Sequence, residues 1–181
     1  MSDSASTTAP KVYGWCLGAL RPMRSGDGPV VRIRAPLGRL SSDQAQAVAE
    51  LSQRYGNGIL DVSARANLQM RGVSEQNHAP LITALQDLGL VDSDANAEAR
   101  RNVLVAPFWS SDDDTHILAQ RLSSGLLQAT DLTLPGQFGF AVDTGPVPLL
   151  RDNAADIRIE RNGNGFVLAA DGAKDVQSLT C

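Results

Sequence analysis

Between Pro29 and Leu88 the apolar residues switch repeatedly between the two-residue period of a strand and the 3.6-residue period of a helix, and few folds accommodate the resulting order. Pro29–Arg34 alternates, with Val31 and Ile33 on one face and Arg32 and Arg34 on the other, as in a half-buried strand. Pro36 and Gly38 end it. Ser41 or Ser42 then caps a helix through Tyr55, with Ala45, Val48, Ala49 and Leu51 at helical spacing and Gly56 as its stop. Ile59–Ser63 and Asn67–Val73 read as two more strands. Pro80–Leu88 reads as a helix closed by Gly89. Strand, helix, strand, strand, helix is most of a ferredoxin-like split βαβ unit, and its last strand is expected to begin at Leu90–Val91. The expected core is Val31, Ile33, Val48, Ile59, Val62, Leu68, Met70, Leu81, Leu85 and Leu88.

The fold class is therefore α+β. Residues 1–11, rich in Ser, Thr and Ala, read as a disordered leader, and 12–91 as the ferredoxin-like half domain. Asp92–Ala99 is polar without an apolar face and reads as a linker. In 100–181, Arg101–Pro107 is a strand of buried type and Thr115–Leu127 an amphipathic helix. Phe138–Val142, Asp156–Ile159 and Phe166–Ala169 are short strands, the last two joined by a turn at Asn162–Gly165.

No apolar run approaches the roughly 18 residues that span a bilayer, so no membrane role is expected. Two cysteines, Cys16 and Cys181, fall short of the roughly four thiolates of an iron–sulfur or zinc site, and neither His78 nor His116 sits near a cysteine in sequence to complete one, so no metal is expected on this chain alone. The low cysteine count fits a cytoplasmic protein. Net charge is −4, unevenly spread: residues 1–73 carry nine basic against five acidic side chains, the remainder seven against fifteen. There is no Lys/Arg run with interleaved aromatics, so nucleic acid is not an expected partner.

Chemistry concentrates in Ser63–Gly72. If strand pairing runs through Arg65, alternation places Arg65, Asn67, Gln69 and Arg71 on one face, opposite Leu68 and Met70. One reading is a solvated sheet face. The other is an anion platform, because each guanidinium fork can fix one carboxylate. Elsewhere His78 reads as a surface or capping residue, Asp112–Asp114 as acidic capping of the following helix, Phe108 and Trp109 as core, and Cys16 as a buried thiol.

Val31–Leu40, Tyr55–Gly58 and Ser63–Val73 resemble the ferredoxin-like half domain of nitrite and sulfite reductases. Trp15–Met23 and Leu134–Asp143 look most like the precorrin-3B synthase branch of that superfamily. The resemblance implies a ferredoxin-like half domain followed by the opening of a sirohaem-reductase-like α+β domain. It also implies a redox enzyme of cobalamin biosynthesis that hydroxylates precorrin-3A with O2, using a [4Fe–4S] cluster, with a tetrapyrrole substrate or sirohaem against the sheet. By motif, Arg65 and Arg101 correspond to active-site arginines and Gln69 to the glutamine of the same segment; Asn67 and Arg71, on the face that alternation assigns, and Gln137 complete the expected tetrapyrrole-binding set. Two positions depart from the pattern: Gln137 stands where the family carries a lysine, and Cys16-Leu17-Gly18 where it carries Cys-Pro-Gly. The chain is expected to span about half the family's length and to lack the cysteine-rich half that binds the cluster, which would lie in a missing C-terminal portion or a complementary subunit. Two rival readings are a non-catalytic tetrapyrrole- or partner-binding module and the N-terminal portion of a sirohaem-dependent nitrite or sulfite reductase.

Overall fold

Gly26 and Asp27 form a tight turn between β1 (Met23–Ser25) and β2 (Gly28–Ile33), which pair antiparallel with Ser25 opposite Gly28. The computed structural model describes residues 18–135, 137–172 and 177–179. The leader 1–11 and Cys16 lie outside the described residues. After β2 a 3-10 turn, Pro36–Gly38, leads into α1 (Ser42–Tyr55). Ser41 and Gln44 close a reciprocal capping box at 3.1 and 3.0 Å. At the far end Gly56 is required by space, since a Cβ there would lie 2.5 Å from the Arg71 carbonyl oxygen.

β3 (Leu60–Val62) and β4 (Leu68–Met70) complete an antiparallel sheet of order β1-β2-β4-β3. β2, α1 and β3 form the split βαβ unit, with β4 inserted between its strands. The expected closing strand at Leu90–Val91 does not form: those residues are buried outside any strand, and the fourth position is taken by β1 from the other end of the unit. α2 (Glu75–Asp87) begins five residues before Pro80, because the Ser74 hydroxyl accepts the Asn77 N–H at 3.1 Å and starts the helix there.

Val31, Ile33, Val48, Met70, Leu81 and Leu85 form the first core with Ala19, Val73 and Leu90, and Leu68 and Leu88 pack against it. Two expected members are outside it. Val62 is 75% exposed, at the end of a three-residue edge strand, and Ile59, out of phase with Leu60, is 50% exposed.

Residues 92–99, read as a linker, run into α3 (Ala95–Arg100). Its buried side chains include Glu98 and Arg100, so no apolar stripe marks it. Beyond it, β5 (Val103–Val105), β6 (Phe140–Asp143) and β7 (Ile157–Asn162) run parallel, and β8 (Gly165–Ala170) and β9 (Gln177–Leu179) extend the sheet antiparallel. α4 (Asp114–Gln128) covers one face, packing Ala119 with Val105, Val142, Ile159 and Phe166.

Several contacts join the halves. The Glu98 carboxylate accepts the Ala19 and Leu20 N–H groups at 2.6 and 3.2 Å, and the Arg34 guanidinium donates to the Glu98 carbonyl. Gly18 makes the first contact feasible, since any Cβ there would collide with that carboxylate. Arg39 lies 3.7 Å from the Trp109 ring centroid and donates to the Trp109 carbonyl at 2.6 Å, while the indole N–H donates to the Leu37 carbonyl at 3.2 Å.

Candidate functional site

The turn Ser63–Ala66 decides where Arg65 points. Ser63 N–H donates to the Asn67 carbonyl at 2.8 Å, Ala66 N–H donates back to the Ser63 carbonyl at 3.0 Å, and the Ser63 hydroxyl accepts the Asn67 N–H at 3.2 Å. Ala66 adopts a left-handed φ of 52°, costly for a residue with a Cβ. Pairing of β4 therefore starts at Leu68, and Arg65 is not on the alternating face predicted for it. The turn swings it toward the second half of the molecule.

There Arg65 lines a slit with Arg34, Asn67, Arg101, Leu104 and Ser123. The slit holds about 20 Å³, room for one water molecule. On its other side Arg65 also lines an open depression of about 400 Å³ with Pro135, Gln137, Phe138 and Ala155, with Asp156 and Asp171 at the same depression. Of these acids, Asp156 is engaged: its carboxylate accepts the Gly139 N–H at 2.7 Å. Gln137, like Ala66, has a left-handed backbone, φ 70°.

The side chains differ in what already holds them. Arg101 is clamped by Asp92 through contacts of 3.0 to 3.2 Å, so a carboxylate from its own chain occupies the fork. Arg65 has no hydrogen-bond or ion-pair partner among the described residues, and neither does the amide nitrogen of Asn67, a residue only 5% exposed. A buried donor left without an acceptor costs stability unless something supplies one.

Gln69 and Arg71 keep the face that alternation assigns them but stand away from both hollows. Gln69 is cross-strand from Arg32 and Asp61. Arg71 donates to the Asp61 carboxylate, whose hydrogen bond and charge hold its guanidinium above the ordinary arginine value. Arg34 was read from the sequence only as a member of the polar face of Pro29–Arg34, one residue beyond the segment that pairs with β4. His78 bonds the Ala19 carbonyl at 2.9 Å, and Asp113 caps α4. Phe108, expected in the core, is 85% exposed, and Trp109 is partly buried against Arg39. The chain between β5 and α4 turns outward after Pro107.

Residues 21–88 match the family model of the nitrite/sulfite reductase ferredoxin-like half domain. Over a longer stretch the chain is similar to a precorrin-3B synthase from Sinorhizobium sp, 30% identical over 165 residues, which cover 88% of this chain and 35% of that protein. It is also similar to the ferredoxin–nitrite reductase of Synechococcus elongatus, 32% identical over 150 residues, 77% of this chain and 28% of that one. The solved structure of the Mycobacterium tuberculosis NirA protein shares the fold, with a TM-score of 0.66 at 22% identity, covering 91% of this chain and 33% of that one. The chain thus spans about a third of the length of these relatives, a smaller share than the half expected from its sequence.

Proposed function

We propose that this chain supplies the tetrapyrrole-binding surface of a redox enzyme of the precorrin-3B synthase kind, with Arg65 as its principal anion contact. The observation that carries the reading is the guanidinium of Arg65, unpartnered among the described residues at the wall shared by two hollows, beside the orphaned Asn67 amide. The guanidinium and the Asn67 amide nitrogen are both hydrogen-bond donors, and a polycarboxylate macrocycle presents acceptors at its rim. The slit is too narrow for a macrocycle, so the ring lies over the depression and its carboxylates reach toward Arg65, Asn67 and Gln137. Arg101, neutralised by Asp92, positions the slit wall. The hydroxylation of precorrin-3A implied by the family would draw its electrons from a [4Fe–4S] cluster.

The residues here do not fit that cluster. It requires about four thiolates, and the chain has two cysteines, both outside the described residues. Among the described residues no group of three His, Cys, Asp or Glu is arranged for a metal ion. The share of the reaction assigned to this chain is binding and orientation. Gln137 favours a second reading, a binding module without catalysis, because an amide hydrogen-bonds an anion but brings no positive charge or transferable proton.

Sirohaem titration into the full chain tests the proposal. Arg65→Ala should weaken binding by roughly tenfold to a hundredfold, the effect of one lost charge-assisted contact. Arg54→Ala, on the exposed side of α1, should change it little. Equal binding by wild type and Arg65→Ala would overturn the assignment.

A further inference from the structure

A separate hollow of about 250 Å³ opens beyond the carboxyl ends of β5 and β6, and it shares no lining residue with the slit or the depression. Its apolar walls include Ala106, Phe108, Trp109, Val147 and Leu149. Phe108 and Val147 are largely exposed, although burying them would be favourable. At its base is Asp143, the last residue of β6, only 3% exposed. One carboxylate oxygen, Oδ2, accepts the N–H groups of Leu149 and Leu150, the latter at 2.8 Å. The other, Oδ1, has no hydrogen-bond partner among the described residues.

The neighbouring polar groups do not meet that need. The Thr115 and Thr144 hydroxyls bond each other at 2.7 Å. The Asp113 oxygens accept the N–H groups of Ser110 and His116 at 2.7 and 2.9 Å. Buried carboxylate oxygens ordinarily find donors, and a carboxylate out of water also needs a countercharge.

We propose that this hollow binds a small organic cation: an aromatic or aliphatic body against Phe108, Trp109, Val147 and Leu149, with a primary ammonium donating to Oδ1 of Asp143. The charge pattern selects a cation, since residues 74–181 carry fifteen acidic against seven basic side chains. The volume, just under the usual range of small-molecule pockets, restricts the body to about one ring and a short chain.

Calorimetric titration of the full chain with 2-phenylethylammonium, and with the uncharged 2-phenylethanol of nearly the same shape, tests this. Wild type should bind the ammonium on the order of millimolar and the alcohol at least about tenfold more weakly. In Asp143→Asn the amide oxygen can keep the Leu149 and Leu150 bonds while its NH2 replaces the orphan acceptor with a donor. The ammonium should then lose roughly tenfold or more in affinity and the alcohol little. Phe108→Ala, at an exposed rim position, should weaken both together. No binding by wild type, or equal affinity for the two compounds, overturns the proposal even if Asp143→Asn fails to fold. Either result leaves the Arg65 reading untouched, because the two regions have no lining residue in common.

Discussion

Arg101 shows how much a single counter-ion changes what a residue can do. Its fork is filled by Asp92, and both side chains are largely withdrawn from water. Removing the partner of a desolvated ion leaves a charge uncompensated, so Asp92→Asn should lower stability by about 1–3 kcal/mol in denaturant titrations. The same substitution frees a guanidinium at the slit, so sirohaem should bind more tightly to this less stable protein. Unchanged stability and affinity together would mean that the pair contributes nothing. At this scale the sequence was informative about residue type and less so about direction. Alternation assigned Gln69 and Arg71 correctly to the polar face of β4, yet it placed Arg65 in phase with them, because the left-handed residue that breaks the phase is an alanine, which carries no turn signal. The Asp92–Arg101 pair, nine residues apart across a helix, left no pattern to read.

Among the elements, α1, α2, α4 and the central strands were legible because their periods are long or their neighbours are buried on both sides, whereas α3, without an apolar stripe, was not. β1 (Met-Arg-Ser) and β9 (Gln-Ser-Leu) were missed, each carrying a single apolar residue and so no period to read. Edge position also explains the misassigned core of β3. Leu85→Ala, at a fully buried site in α2, should cost about 2–5 kcal/mol, whereas Val62→Ala on exposed β3 should stay within about 0.5 kcal/mol; equal shifts in denaturant midpoint would contradict this packing. The helix caps make stability depend on acid. The Ala97 and Asn96 N–H groups hold Asp94 below the ordinary aspartate range. Burial pushes Asp113 up, but the His116 and Ser110 N–H groups and the His116 charge outweigh it and its net shift is also downward. A carboxyl with a lower pKa in the folded state contributes stability that is present above its unfolded value and lost as pH falls through the folded one. The melting temperature should therefore fall as pH drops below about 4. Asp113→Asn keeps a capping side chain but does not titrate, so it should flatten that acid limb; an unchanged acid limb would exclude this source.

Taken whole, the molecule is two sheets tied through α3 and the Arg39–Trp109 stack. The order of elements within each sheet was readable, but which surfaces meet was not, since the joining contacts come from Gly18, Glu98, Arg34 and Arg39, polar or small residues without periodicity. The grip of Glu98 on the Ala19 and Leu20 amides has a practical corollary for where this chain can be cut. The family match runs from 21 to 88, yet the first core includes Ala19, Leu90 and Val91. Excised at the family limits, the half domain would lose three buried side chains and the carboxylate that satisfies its leading amides. We expect residues 21–88 alone to show no cooperative melt by circular dichroism, and residues 18–100 to melt in one transition. A sharp melt of 21–88 would show those outer residues to be dispensable. The family model thus delimits a stretch shorter than the core it belongs to, and a half domain moved between proteins would have to carry its flanks with it.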